Sequence, residues 1–120
     1  MLSWEVEGTN EFEAWFDGLN NAEQADVIAI VDLLVQKGPE LDYPYSSGIS
    51  GSRHPHMREL RIQHAGRPYR VLFAFDPRRC AILLLGGDKT GQDRWYDVNV
   101  PRADRLYDEY LWEISNEGLI

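Results

Sequence analysis

One hundred and twenty residues, 43% of them hydrophobic and including four Trp, six Tyr and four Phe, suffice for one compact core and not for two, so one domain over 1–120 is expected. A formal charge of −8 excludes a protein that coats nucleic acid nonspecifically, because such binding rests on Lys and Arg neutralising phosphates. Cys80 is the only cysteine, which excludes an internal disulfide framework and fits a reducing cytoplasm; no apolar run approaches the roughly twenty residues of a bilayer crossing, and Met1–Glu5 lacks the features of a secretory signal.

Leu2, Trp4 and Val6 alternate with Ser3, Glu5 and Glu7, a period of two that predicts a half-buried strand closed by Gly8. Asn10 with Glu13 reads as an N-cap pair, and Phe12, Trp15, Phe16 and Leu19 fall on one face of a short helix. Asn20-Asn21 opens a second helix, whose stripe of Ala25, Ile28, Val31 and Leu34 or Val35 runs to Gly38-Pro39. Residues 39–55, with Pro44, Ser46-Ser47-Gly48, Ser50-Gly51-Ser52 and Pro55, show no sustained period and read as a long loop.

Strands follow over Met57–Gln63, Arg67–Asp76 and Cys80–Gly87, joined by His64-Ala65-Gly66 and Pro77-Arg78-Arg79, an antiparallel meander. A loop from Gly86 to Val98 leads to a last helix, with Asn99 as N-cap, Pro101 in the first turn, and a stripe of Ala103, Leu106, Tyr107, Tyr110, Leu111 and Ile114. The order βααβββα predicts an α+β domain, its helices on one face of a mostly antiparallel four-stranded sheet.

Charge is segregated along this plan. Arg53 to Arg94 carries nine Lys/Arg against four Asp/Glu, a balance of +5, whereas residues 1–52 sum to −9 and residues 95–120 to −4. A cationic sheet face on an acidic body suits the meeting of phosphates or carboxylates at one place. Glu59, Arg61 and Gln63 share one face of their strand. Neither face of Arg67–Asp76 is uniformly polar, which places Arg70 at the rim of a buried surface, where a guanidinium needs an anionic partner.

Several motifs fail on inspection. Asp88 in Gly86-Gly87-Asp88-Lys89-Thr90 stands where a phosphate-binding P-loop needs glycine, and Gly48-Ile49-Ser50-Gly51-Ser52 misses the nucleophile elbow by one position. His54, His56 and His64 with one buried Cys80 make no zinc set, so no metal and no cofactor is expected.

Met57-Arg58-Glu59-Leu60-Arg61, Gly66-Arg67-Pro68-Tyr69-Arg70-Val71-Leu72-Phe73, Ile82-Leu83-Leu84-Leu85-Gly86-Gly87-Asp88-Lys89 and Ala103-Asp104-Arg105-Leu106-Tyr107, taken in order, resemble the RelE/ParE superfamily of type II toxins, in its HigB-like, phage-derived branch. The resemblance covers nearly the whole chain. It implies a toxin neutralised by a cognate antitoxin, a helix-turn-helix protein encoded by the adjacent gene, with mRNA and the ribosome as further partners, no membrane, and metal-independent endoribonuclease chemistry. That chemistry requires a base for the ribose 2′-hydroxyl, cations for the charge on the phosphoryl oxygens, and an acid for the departing 5′-oxygen.

Carried over by position, the resemblance implies Arg61 and Arg70 as phosphate clamps, Lys89 as acid or base, and Tyr96 as a fourth catalytic residue. Arg53, His54, His56, Arg58, Arg67, Arg78, Arg79, Arg94 and Trp95 are the expected RNA-binding residues, Trp95 or Tyr96 stacking on a splayed base. The chain departs from the pattern in its acidity and in carrying one lysine after Gly86; His54 and His56 are candidates to substitute as acid and base. Two other readings use the same surface: a ParE-type inhibitor of DNA gyrase, and an interaction module whose basic face receives an acidic helix. The apolar stripes of the first two helices, or the last helix, offer an antitoxin groove. The nuclease reading requires Arg61, Arg70 and Lys89 to converge, and fails if each is locked to an internal carboxylate.

Overall fold

A computed structural model describes residues 3–120. Among these, strand β1 (Val6–Gly8) is followed by helices α1 (Asn10–Asp17) and α2 (Asn21–Lys37) and a 3-10 turn (Gly38–Glu40). Then come β2 (Ser46–Gly48), β3 (Arg58–His64), β4 (Arg67–Phe75), β5 (Ala81–Asp88) and helix α3 (Trp95–Asn116). The Leu2 end of the first expected strand lies outside the described residues. The strands form one sheet in the order β1-β5-β4-β3-β2, antiparallel except for the β1–β5 pair.

The α+β class stands; three details of the sequence reading change. The sheet has five strands among the described residues, because Ser46–Gly48 pairs with Arg58–Leu60 along the edge of β3. A Ser-Ser-Gly segment has no alternation of polarity to announce it. The helices also occupy both faces. α1 and α2 cover Leu60, Ile62, Tyr69, Val71 and Phe73, while α3 covers Leu72, Ala74, Ile82 and Leu84. This is why β4 has no polar face: its side chains are buried in alternation against two separate layers, each fully buried Leu or Phe contributing about 1.5–3 kcal/mol.

The caps differ as well. Thr9, not Asn10, caps α1: its hydroxyl accepts from the Phe12 N–H at 3.0 Å and donates to the Leu84 carbonyl at 2.7 Å, tying the helix start to β5. Asn20 and Glu23 form a reciprocal capping box at α2, as the sequence suggests. α3 begins at Trp95, a full turn before Asn99. Asn99 is buried within the helix, donating from its side chain to the Trp95 carbonyl at 2.9 Å, and Pro101 sits in the interior. Trp95, Asn99, Val100 and Ala103 all bury one helical face, and the burial of that indole outweighs the start signal of Asn99 and Pro101.

A β-bulge decides what the site contains. Leu72 pairs with Leu85 but Phe73 with Leu83, so Leu84 is an extra residue and the alternation of β5 flips there. Ile82 points toward α3 before the bulge, and Leu85 and Gly87 do so after it. A regular strand would turn Gly87 to the α1/α2 side.

Candidate active site

On the α3 side of the sheet Arg61 stands opposite Arg70, and Arg70 opposite Gly87, one row across three strands. Two guanidinium groups facing each other repel unless a carboxylate lies between them. Glu59, two residues before Arg61 and therefore on the same face, supplies it. Its carboxylate is 3% exposed and accepts four approaches. The Ser47 hydroxyl donates at 2.6 Å, the Tyr96 hydroxyl at 2.5 Å and Arg61 Nη1 at 3.1 Å, while Arg70 Nε stands 3.6 Å away.

The Arg70 contact is close enough for charge attraction and too long for a hydrogen bond. Arg70 Nη1 donates to the Tyr69 carbonyl at 2.9 Å, but Nε is the one buried side-chain polar atom among the described residues with no hydrogen-bond partner. The Arg70 guanidinium is thus nearly fully buried, with one donor unmet beside a carboxylate.

Tyr96 enters from the first turn of α3, positioned by its neighbour. The Trp95 indole packs over Gly87, where an added Cβ would lie 2.7 Å from Trp95 Nε1. Burial, then the hydrogen bond and charge of Glu59, push the Tyr96 phenol above its ordinary value against the opposing pull of Arg70, so Tyr96 is a proton donor and not a base near neutrality. Lys89 Nζ lies 5.7 Å from the centre of the Tyr96 ring, and the Arg61 guanidinium 5.1 Å from that of Tyr43. The arrangement thus holds a carboxylate, two guanidinium groups, an ammonium and a phenol within one small region. Arg61, about a quarter exposed, forms its open side.

The chain has recognisable relatives. Residues 14–108 match the family described as "Phage derived protein Gp49-like". The chain belongs to the Gp49-like, HigB-type toxin family. It is 47% identical over 102 residues to the Mycobacterium tuberculosis protein named "Putative toxin HigB3", covering 84% of this chain and 88% of that one. With that organism's "Putative toxin HigB2" it shares 38% identity over 117 residues, 96% of this chain and 58% of the relative, so it spans little more than half of HigB2. A chain from the crystal structure of the archaeal RelE–RelB complex of Pyrococcus horikoshii superposes with a TM-score of 0.55 at 14% identity, over 76% of this chain and 99% of that one, which shows a RelE-like fold.

Within this HigB-type chain the structure brings Arg61, Arg70, Lys89 and Tyr96 together, and adds Glu59 and Ser47, which the sequence reading did not select. Glu59 was within reach of that reading as the face-mate of Arg61; Ser47 was not, because its strand was unreadable. The condition set on convergence is met in part: Arg61 and Arg70 both lean on one internal carboxylate, whereas Lys89 has no ion pair among the described residues.

The other expected RNA contacts are scattered. Trp95 is a correction: at 4% exposure, inside the core beneath α3, its ring has no face open to a base. Arg53 and His54 are tied to α3 carboxylates, Arg53 to Asp108 at 2.5 Å and His54 to Asp108 at 2.8 Å. Arg67 pairs with Asp88 at 3.2 Å on the α1/α2 side, and Arg78 with Asp76 at 3.1 Å at the far end of the sheet. Arg94 is exposed and near Asp97. His56, Arg58 and Arg79 line a different cavity, at the start of β3. His64 bonds Asp26, whereas His54 bonds Asp108 and His56 lines the cavity.

Proposed function

We propose that this protein is the toxin of a toxin–antitoxin pair and that it cuts mRNA without a metal, at the face bounded by Glu59, Arg61, Arg70, Lys89 and Tyr96. The observation that carries this reading is the position of Glu59, one carboxylate within reach of both guanidinium groups and of a phenol. A phosphodiester entering beside the partly exposed Arg61 draws that guanidinium, and the unmet Nε of Arg70, onto its non-bridging oxygens. Glu59, relieved of those cations, is left as a base.

The step is then an in-line displacement. The 2′-hydroxyl gives its proton to Glu59 as its oxygen bonds to phosphorus, and the bond from phosphorus to the 5′-oxygen breaks. The leaving oxygen takes a proton from the Lys89 ammonium. The products are a 2′,3′-cyclic phosphate and a 5′-hydroxyl. Arg61 and Arg70 stabilise the charge that gathers on the phosphoryl oxygens, and Tyr96 orients Glu59.

An antitoxin partner is supported by the family and by the RelE–RelB complex from which the structural relative comes. An apolar depression of about 150 Å³ lined by Phe12, Phe16, Val27, Ile28 and Val31 lies on the α1/α2 side and offers such a partner a hold. The test is inducible expression in a bacterium with and without the neighbouring gene, read by growth and by mapping mRNA 5′ ends, followed by cleavage assays in EDTA with ribosomes and with naked RNA. Growth arrest with new 5′-hydroxyl ends that persist in EDTA supports the reading. Arrest without cleavage, accompanied by loss of supercoiling activity of purified gyrase, replaces it with the gyrase-inhibitor reading.

A further inference from the structure

A cavity of about 580 Å³ opens at the end of the sheet where β3 begins and β4 ends, between the 3-10 turn, the β4–β5 turn and α3. It is separate from the site above. Arg58 pairs with Phe73 at one end of the β3–β4 ladder, whereas Arg61 pairs with Arg70 toward the other, and strand alternation sends Arg58 to the face opposite Glu59 and Arg61.

Its cations are distinctive. Seven of the arginines, at 53, 61, 67, 70, 78, 94 and 102, form ion pairs among the described residues. Of the other three, Arg105 is exposed on α3, whereas Arg58 and Arg79, which form no ion pair among the described residues in a chain with 20 carboxylate side chains, both line this cavity beside His56. The hydrogen bond of Arg58 runs from Nε to the Ser46 hydroxyl at 3.3 Å. The Arg79 guanidinium lies 4.7 Å from the centre of a Trp4 ring, held there by a turn in which Arg79 has φ +68°. The carboxylate in the lining, Asp76, is already saturated: it accepts from the backbone N–H groups of Arg78 and Cys80, from the Arg78 guanidinium and from the Tyr110 hydroxyl. It leaves Arg58 and Arg79 without a counter-charge.

The walls are apolar and fixed. Trp4 is wedged against Gly38, where a Cβ would fall 2.4 Å from the indole, and its ring meets Phe75 edge-on at 6.0 Å. Met57 is 1% exposed, and the Tyr107 hydroxyl already donates to the Phe75 carbonyl at 2.8 Å. Among the described residues that line it, none carries a side-chain amide or a free carboxylate to read the edge of a nucleobase. The lining therefore matches an apolar body, and its two unpaired guanidinium groups match an anion on that body.

We propose that this cavity binds a carboxylate borne on an aryl or branched alkyl group. Two sources share that chemistry: a free organic acid, or an acidic residue beside an apolar one in a peptide. Calorimetry on the full chain distinguishes them with two probes, 2-naphthoate and the blocked peptide acetyl-Glu-Phe-Glu-amide. Uncharged 2-naphthalenemethanol and adenosine monophosphate serve as comparisons.

Arg58→Gln and Arg79→Gln remove cations that form no ion pair, so both variants are expected to fold, which circular dichroism checks. Binding of either acid, weakened about tenfold by each substitution and absent for the alcohol, supports the site; Arg61→Ala leaves it unchanged. The probe that binds identifies the source. Failure of both acids, retention of affinity in both Gln variants, or tighter binding of adenosine monophosphate overturns the proposal. None of these outcomes depends on RNA cleavage.

Discussion

Arg61 and Arg70 face each other across β3 and β4, and both turn to the carboxylate of Glu59. One buried anion thereby holds two cations of unequal exposure: Arg70 is enclosed, and Arg61 opens to solvent. The consequences for stability are unequal too. Glu59→Gln preserves the volume but leaves Arg70 as a buried cation without its counter-charge, which costs about 3–5 kcal/mol. Arg61→Ala removes the exposed partner and costs about 1 kcal/mol or less. Urea denaturation of the two variants measures the difference, and a larger loss for Arg61→Ala than for Glu59→Gln would show that Glu59 does not anchor the pair.

Lys89 separates chemistry from folding. It forms no ion pair among the described residues, and its ammonium approaches the Tyr96 ring. Lys89→Ala is therefore expected to leave stability within about 0.5 kcal/mol while lowering RNA cleavage by about 10²–10⁴-fold. Single-turnover cleavage beside a denaturation curve checks both. Wild-type cleavage by this variant removes Lys89 from the mechanism.

Two limbs of the stability–pH curve have assigned groups. Burial pushes the Asp76 carboxyl up, but the Cys80 N–H, the Tyr110 hydroxyl and the Arg78 guanidinium together hold it below the ordinary range. The Arg53 guanidinium, with His54, does the same for Asp108 against its partial burial. A carboxylate depressed in the folded state contributes stability that is full above its unfolded value and is lost as pH falls through the folded one. Loss therefore begins near about pH 4 and deepens below it. At the alkaline end, burial first and the Glu23 hydrogen bond second push the Tyr69 phenol up to about 12. Its contribution is present below about pH 10 and fades from there toward pH 12. Asp76→Asn should flatten the acid limb and Tyr69→Phe the alkaline limb in thermal melts across pH; unchanged slopes exclude those groups.

Sequence period alone placed Arg61 and Arg70 on strands, because β3 and β4 alternate or stay apolar without interruption. The face they share depends on register, which no local pattern encodes. The bulge at Leu84 was hidden for a related reason: Cys80–Leu85 is apolar throughout, so a flip of faces leaves no trace in polarity. Asn99 and Pro101 carried a valid start signal that tertiary burial of Trp95 overrode. Glu59 was visible as the neighbour of Arg61, but its contacts with Ser47 and Tyr96 span 12 and 37 residues and arise only from the folded chain.

The bulge also allows a paired test of what positions Tyr96. Consecutive glycines of β5 face opposite layers: a Cβ on Gly86 would lie 2.4 Å from the Trp15 ring on the α1 side, and one on Gly87 2.7 Å from Trp95 Nε1 on the α3 side. Each is a collision with a stiff, packed indole, so Gly86→Ala and Gly87→Ala should both destabilise by about 1–3 kcal/mol. Only Gly87→Ala pushes on the first turn of α3, and with it on the 2.5 Å hydrogen bond from Tyr96 to Glu59. Cleavage, measured at a temperature where both variants stay folded, should fall in Gly87→Ala and persist in Gly86→Ala. Equal losses in the two would mean that overall loosening, and not the placement of Tyr96, limits the reaction.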